Sequence, residues 1–198
     1  MKTSLKALVL AGGQSRRMGR DKAHVSLSGV TQLDRTCALA KQVTEQVFVS
    51  VRNLETADEL RRRYALIADV PGAEGPLAGV LAAFESDPQA DWLVLACDLP
   101  KLDLATLAVL VRSAAEDGQS KALAMGSEVH DGLPEPLCAI WRSTLKGLIQ
   151  QRVAAQRYCA RKCLILGDCR IIPPVSPGAL ANMNTPEDLA ALMVEAST

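Results

Sequence analysis

Apolar positions along this chain alternate between two textures. Short unbroken aliphatic runs are each followed by a stretch in which apolar residues return every three or four positions, so strands and helices alternate. Runs over 6–11, 47–51, 66–68 and 92–96 predict strands, and the last is apolar throughout, as a central strand requires. Helices are predicted over 32–45, with Thr31 as N-cap, and over 55–64, 77–84 and 103–115. The last carries Leu104, Leu107, Ala108 and Val111 as its buried stripe. In the second, Arg61, Arg62 and Arg63 read as a solvated face. Beyond Gly118 the texture changes. Strands over 122–125 and 137–141 flank a polar loop holding His130, Asp131 and Gly132. Helical segments follow over 143–151 and 154–162, then a short strand over 170–172. Thr185, Pro186, Glu187 and Asp188 read as the N-cap, first position and acidic first turn of a last helix. Such alternation predicts an α/β fold, a mostly parallel central sheet with helices on both faces. No repeat, low-complexity tract or linker interrupts it, so residues 1–198 are expected to form one domain.

Composition excludes more than it adds. A hydrophobic content of 48% over 198 residues supplies a full core without disulfides or metals. Lys and Arg (22) balance Asp and Glu (22), which argues against a nucleic acid or an anionic membrane recognised by bulk charge. Positive charge is instead concentrated near 16–22, as a small anionic ligand requires. Cys97 and Cys138 lie in apolar stretches and read as core residues. Cys159, Cys163 and Cys169 are candidates for a shared metal, but no Cys-x-x-Cys occurs and both histidines are distant in sequence, so protein that holds no metal after dialysis is expected. The apolar stretch after Met1, Lys2 and Lys6 is too short for a signal peptide, and no run reaches membrane-spanning length. A reduced, cytoplasmic protein is expected.

Candidate chemistry concentrates between Leu8 and Lys22. The first predicted strand ends in Gly12 and Gly13, and cations follow at Arg16, Arg17, Arg20 and Lys22. A buried strand that empties into a glycine turn exposes backbone N–H groups at the carboxyl end of a sheet, where open α/β folds bind ligands. Glycines admit close approach, and the cations match a polyphosphate. The glycine spacing satisfies neither the P-loop nor the Gly-x-Gly-x-x-Gly fingerprint, and Arg17 stands where a nucleophile elbow needs its last glycine. Asp98 comes next: a carboxylate after the apolar run 92–96, before Leu99 and Pro100, is a hard oxygen ligand suited to Mg²⁺. Taken alone, it reads equally as a loop aspartate capping a turn.

Leu-Ala-Gly-Gly-x-x-x-Arg-Met-Gly over 10–19, followed by Asp21 and Lys22, resembles the signature loop of the molybdenum cofactor guanylyltransferase family. Cys-Asp-Leu-Pro over 97–100, Gly-Pro-Leu-Ala-Gly over 75–79, Asp69 and Asn-Met-Asn-Thr-Pro over 182–186 extend the resemblance across nearly the whole chain. It implies a Rossmann-like three-layer sandwich of the nucleotidyltransferase type. It further implies a nucleotide site drawn from Leu10, Ala11, Gly12, Gly13, Lys22, Asp69, Gly75, Pro76, Leu77 and Asp98. Asn182 and Asn184 would lie near the pterin. Arg17, Lys22 and Asp98 are the implied catalytic residues, with Asp98 holding Mg²⁺, while Arg16 is either a second phosphate contact or a surface residue. The implied reaction transfers GMP from GTP to the terminal phosphate of molybdopterin. Such an enzyme would be a monomer or weak homo-oligomer, in transient contact with cofactor carrier or acceptor enzymes. Two positions depart from the pattern: Ser50 stands where the family has asparagine, and Glu135 is a candidate carboxylate in the acceptor pocket. A cytidylyltransferase on the same fold and a non-catalytic nucleotide binder are the competing readings. Leu-Ala-Gly-Gly, against the Leu-Ala-Ala-Gly of cytidylyl-transferring relatives, favours guanine. A hydrolase is the weakest reading, because no nucleophile–base pair can be assembled.

Overall fold

The structure is a computed structural model that describes residues 4–12 and 21–195. Its elements run β1 (Leu5–Leu10), β2 (Ser26–Leu27), β3 (Val30–Thr31), α1 (Gln32–Lys41), β4 (Val47–Val51), α2 (Glu59–Arg62), β5 (Ala65–Ala68) and α3 (Pro76–Ser86). They continue with β6 (Asp91–Ala96), α4 (Leu104–Glu116), β7 (Ala122–Gly126), β8 (Pro134–Trp141), α5 (Lys146–Ala154), α6 (Ala160–Leu166), β9 (Cys169–Ile172) and α7 (Pro186–Glu195). The main sheet has the order β5-β4-β1-β6-β8-β7-β9, and β2 and β3 form a separate hairpin. Every neighbouring pair in the main sheet is parallel except the two that β8 makes, with β6 and with β7.

The alternation of side chains along each strand builds the three layers. On one face Leu8, Trp92, Val94, Ala139 and Trp141 pack under α3, α5 and α6, through Leu77, Phe84, Ile149 and Cys163. On the other, Ala7, Leu93, Leu95, Leu123 and Ile140 meet α4 through Leu107 and Leu110, while Val9 and Val49 meet α1 through Leu33 and Cys37. Covered on both sides, β6 is buried along its whole length, which is why its sequence is apolar from Trp92 onward. Phe48 rests edge-on against Trp92, ring centroids 5.6 Å apart.

Several predicted elements shift, each for a local reason. The first helix stops at Lys41 instead of residue 45, because Thr44 donates its hydroxyl to the Leu5 and Gln46 carbonyls and fixes a turn. The helix predicted over 55–64 shrinks to α2. Asn53 holds the Glu55 amide at 2.8 Å in a turn, and Asp58 caps the Arg61 amide at 2.9 Å. The predicted stripe on α4 is out of phase: Leu104 is 40% exposed and Ala108 is exposed, while Thr106, Leu107 and Leu110 are buried. Gln156, at φ +55°, separates α5 from α6, so the predicted 154–162 helix begins only at Ala160. The antiparallel strand starts earlier than expected, at Pro134. Its prolines lie beyond the 138–141 stretch that pairs with β6, so they remove no N–H from that ladder. The N-caps Thr31 and Thr185 are where the sequence puts them, while Asp103, expected as the first helical residue, caps α4 instead.

Candidate functional site

Leaving β1, the chain builds β4 and β5 on one side of it and then crosses to β6 on the other, so β1 and β6 flank the point where strand order reverses. Open parallel sheets part their outgoing loops there and leave a crevice at the carboxyl ends of the strands. A cleft of about 280 Å³ occupies that position. Leu10, Ala11 and Gly12 run out of β1 beside Ala96, Cys97 and Asp98 running out of β6, in register from the Leu10–Ala96 pair.

At the head of the cleft the Lys22 ammonium donates to Asp98 Oδ2 at 2.8 Å and to Asn184 Oδ1 at 2.6 Å. Lys22 opens a short 3-10 turn whose first amides are steadied by Asp21, its Oδ1 accepting from Ala23 N at 3.0 Å. The other oxygen, Asp98 Oδ1, is buried and has no hydrogen-bond partner among the described residues. The Asp98 carbonyl accepts from Met183 N at 3.0 Å, which seats the segment carrying Asn182 and Asn184 against the end of β6. Asp188 closes that segment by accepting from the Asn184 and Thr185 amides. Three regions distant in the chain thus converge on one ammonium.

The facing wall is built on β4, β5 and the entry to α3. Asp69 follows β5, and burial raises its carboxyl above the usual range, against the Ser50 hydroxyl donating to Oδ1 at 2.6 Å and the nearby Arg52. Gly75, at φ +63°, turns the chain into Pro76, the first residue of α3. Gly79 is held to glycine by contact: a Cβ there would stand 2.5 Å from Ser50 Oγ, 2.9 Å from Leu10 Cδ2 and 3.1 Å from Asp69 Oδ1. Leu77 turns its side chain into the apolar core, leaving Gly75, Pro76 and Gly79 as the cleft lining of that loop. Cys97 also lines the cleft, but burial pushes its thiol up to about 12, so it is no nucleophile at neutral pH.

Gly13, Arg16 and Arg17 lie outside the described residues. Glu135 does not line this cleft: it is buried, accepts from Leu137 N and pairs with Arg161 at 3.2 Å. Burial pushes the Cys163 thiol up to about 11 and the Cys169 thiol up to about 12. The potential ligand groups that cluster among the described residues are Asp21, His24 and Asp58, and both of those carboxylates are already bonded to Arg61. Arg61 itself corrects the reading of a solvated triple arginine, being 7% exposed. The Ser50–Asp69 bond and Arg52, which also lines the cleft, were likewise not anticipated; a polar residue inside the apolar run 47–51 was the signal for Ser50.

A glycine-edged switch-point cleft, with a lysine–aspartate pair at its head, is where an open α/β fold receives its ligand, and the class of this one is nucleotidyltransferase. The family model of the MobA-like NTP transferase domain matches residues 7–165, and the chain belongs to that family. It is 33% identical to the molybdenum cofactor guanylyltransferase of Pseudomonas fluorescens, over 93% of this chain and 91% of that one. It is 32% identical to a molybdenum cofactor biosynthesis bifunctional protein of Synechocystis over 94% of its length, and spans about half (53%) of that longer relative. Its fold matches the molybdopterin-guanine dinucleotide biosynthesis protein A of Archaeoglobus fulgidus with a TM-score of 0.81 at 24% identity, over 97% of this chain and 98% of that one. No helix among the described residues is long and apolar enough to cross a membrane.

Proposed function

We propose that this enzyme transfers GMP from GTP to the terminal phosphate of molybdopterin. The attacking phosphate oxygen forms a bond to the α-phosphorus of GTP, and the bond from that phosphorus to the β-phosphate bridge breaks, releasing pyrophosphate. The names of the relatives support the two substrates. The observation that carries the reading is the Lys22 ammonium held between Asp98 and Asn184 where two parallel strands part. A phosphate monoester is largely dianionic at neutral pH, so no general base is required. The work left to the protein is alignment and neutralisation of charge.

Lys22 is assigned to the phosphates, with Arg17 as a second contact, and the backbone at Gly12 and Gly13 to close approach. Asp98 suits Mg²⁺: its unpartnered buried Oδ1 is a hard oxygen donor beside the proposed phosphate position. When bound, Mg²⁺ would neutralise charge on the triphosphate and its leaving group. Asp69 and the Gly75–Gly79 wall are assigned to the base. Guanine presents adjacent N1–H and N2–H donors, which a desolvated carboxylate accepts, whereas cytosine presents mainly acceptors on that edge. Asn182 and Asn184 are assigned to the pterin side. Balanced charge and unpaired cysteines support one cytoplasmic domain over 1–198 with small-molecule partners.

The test incubates purified protein with Mg²⁺, molybdopterin and either GTP or CTP, and follows pyrophosphate. Release with GTP, dependent on the pterin, is expected. Release that prefers CTP, or that ignores the pterin, overturns the reading.

A further inference from the structure

Arg61 is the buried member of three consecutive arginines, and its guanidinium is committed on every side. Nε and Nη2 donate to the Ala11 carbonyl at 3.0 and 2.6 Å, Nη2 also reaches Asp21 Oδ2 at 2.7 Å, and Nη1 bonds Asp58. Asp58 caps α2, so the helix that carries Arg61 is tied to its own guanidinium. Ala11 immediately precedes Gly12 and Asp21 immediately precedes Lys22, and all four line the cleft. One planar fork therefore joins the strand that ends at the cleft to the turn that delivers its ammonium.

The electrical consequence matters as much as the mechanical one. A backbone carbonyl and a carboxylate are poor neighbours for a polyphosphate. Arg61 takes up the Ala11 oxygen and one Asp21 oxygen, while the Ala23 amide takes the other. Two repulsive groups at the edge of the cleft are thereby screened. A lysine could carry the charge but not serve three acceptors in one plane.

We propose that Arg61 is the positioning residue of a triphosphate site, fixing Ala11–Gly12 against Asp21–Lys22 and cancelling the negative charge at both. It touches no reacting atom. The inference rests on the proposed function only in requiring a triphosphate, and is indifferent to base and acceptor.

Tripolyphosphate with Mg²⁺ is the probe, titrated calorimetrically into wild type, Arg61→Lys and Arg62→Ala. Arg62 braces the same helix, through the Ala57, Leu54 and Glu55 carbonyls, without touching the cleft. Arg61→Lys is expected to weaken tripolyphosphate by roughly tenfold or more, the order expected when a charge-assisted network is broken. Amide exchange over 21–25 should quicken in the same variant. Arg62→Ala should lower the melting temperature and leave tripolyphosphate affinity unchanged. Should Arg61→Lys fail to fold, Asp21→Asn loosens the same tie from its other end, and faster exchange over 21–25 is expected there. The proposal is overturned if wild type does not bind tripolyphosphate, or if Arg61→Lys binds it as well as wild type. Equal losses in Arg61→Lys and Arg62→Ala, or unchanged exchange in Asp21→Asn, overturn it too. A wild-type preference for CTP over GTP would overturn the guanylyl reading instead, and the tripolyphosphate comparison would still decide the role of Arg61.

Discussion

A carboxylate with one oxygen bonded to an ammonium and the other left bare in a buried place is set up to be completed by something else. Asp98→Asn preserves shape and removes the charge that a cation would meet. Pyrophosphate release by that variant is expected to fall by at least about a hundredfold with the melting temperature little changed, and near wild-type release at saturating Mg²⁺ would remove Asp98 from the metal site. Lys22→Ala should weaken GTP binding by ~1.5–3 kcal/mol in calorimetric titration. Gly79 tests the opposite wall. A methyl group at 2.5 Å from Ser50 Oγ forces Ser50, Leu10 and Asp69 to move together, so Gly79→Ala should cost ~1–3 kcal/mol in urea unfolding and weaken nucleotide binding. At this scale the sequence was informative where a charged residue coincides with punctuation. Asp98 stands between an apolar run and a proline, and Lys22 closes a loop dense in glycine and arginine. It was uninformative for Arg61, because three identical neighbours share one composition and only packing chooses which of them turns inward. The one local hint was an N-capping aspartate three residues before it.

Short strands of the main sheet were legible to within one residue whether buried, as β6 is, or largely exposed, as β9 is. The strand over 92–96 is apolar throughout and was recovered with one residue added, and the strand over 47–51 was recovered as it stands. The α4 stripe went out of phase because leucine, alanine and valine occur on all its faces, so the spacing of apolar residues no longer marks one side. Thr106, a polar residue, turned out to be fully buried. Just beyond α4, Asp117 offers a test of local architecture. Its carboxylate accepts from the Ser120 and Gln119 amides and the Ser120 hydroxyl, and pairs with Arg170 on β9. The two amides, ahead of the side-chain donors, hold its carboxyl well below the usual carboxylate range. With the folded value below the unfolded one, the ionised form stabilises the fold above about pH 4, and that contribution is lost as pH falls through the folded value. Melting curves of wild type should therefore fall more steeply below about pH 4 than those of Asp117→Asn, while Arg170→Ala should keep most of the wild-type slope.

For the whole molecule, topology does what no short motif does: it places residues 12, 22, 69 and 98 around one opening, with residue 184 bonded to Lys22 at its head. The motifs could be read singly, but their convergence depends on the order β5-β4-β1-β6, a property of the sheet. Binding at such an opening should be felt globally. At about 100 times its Kd a ligand adds ~2.7 kcal/mol to stability, so GTP with Mg²⁺ should raise the melting temperature clearly and CTP at equal concentration should raise it less. Equal shifts would leave the cleft without base preference. The bond from Lys22 to Asn184 spans 162 positions. During synthesis, β1, β4, β5 and β6 can pair long before residue 184 has been made, so a nascent chain would hold most of its sheet while one oxygen of the lysine cradle is still missing. On the proposed assignment of Asn184, a chain ending between β9 and α7 is expected to release pyrophosphate more slowly than the full chain, and equal rates would remove Asn184 from the site.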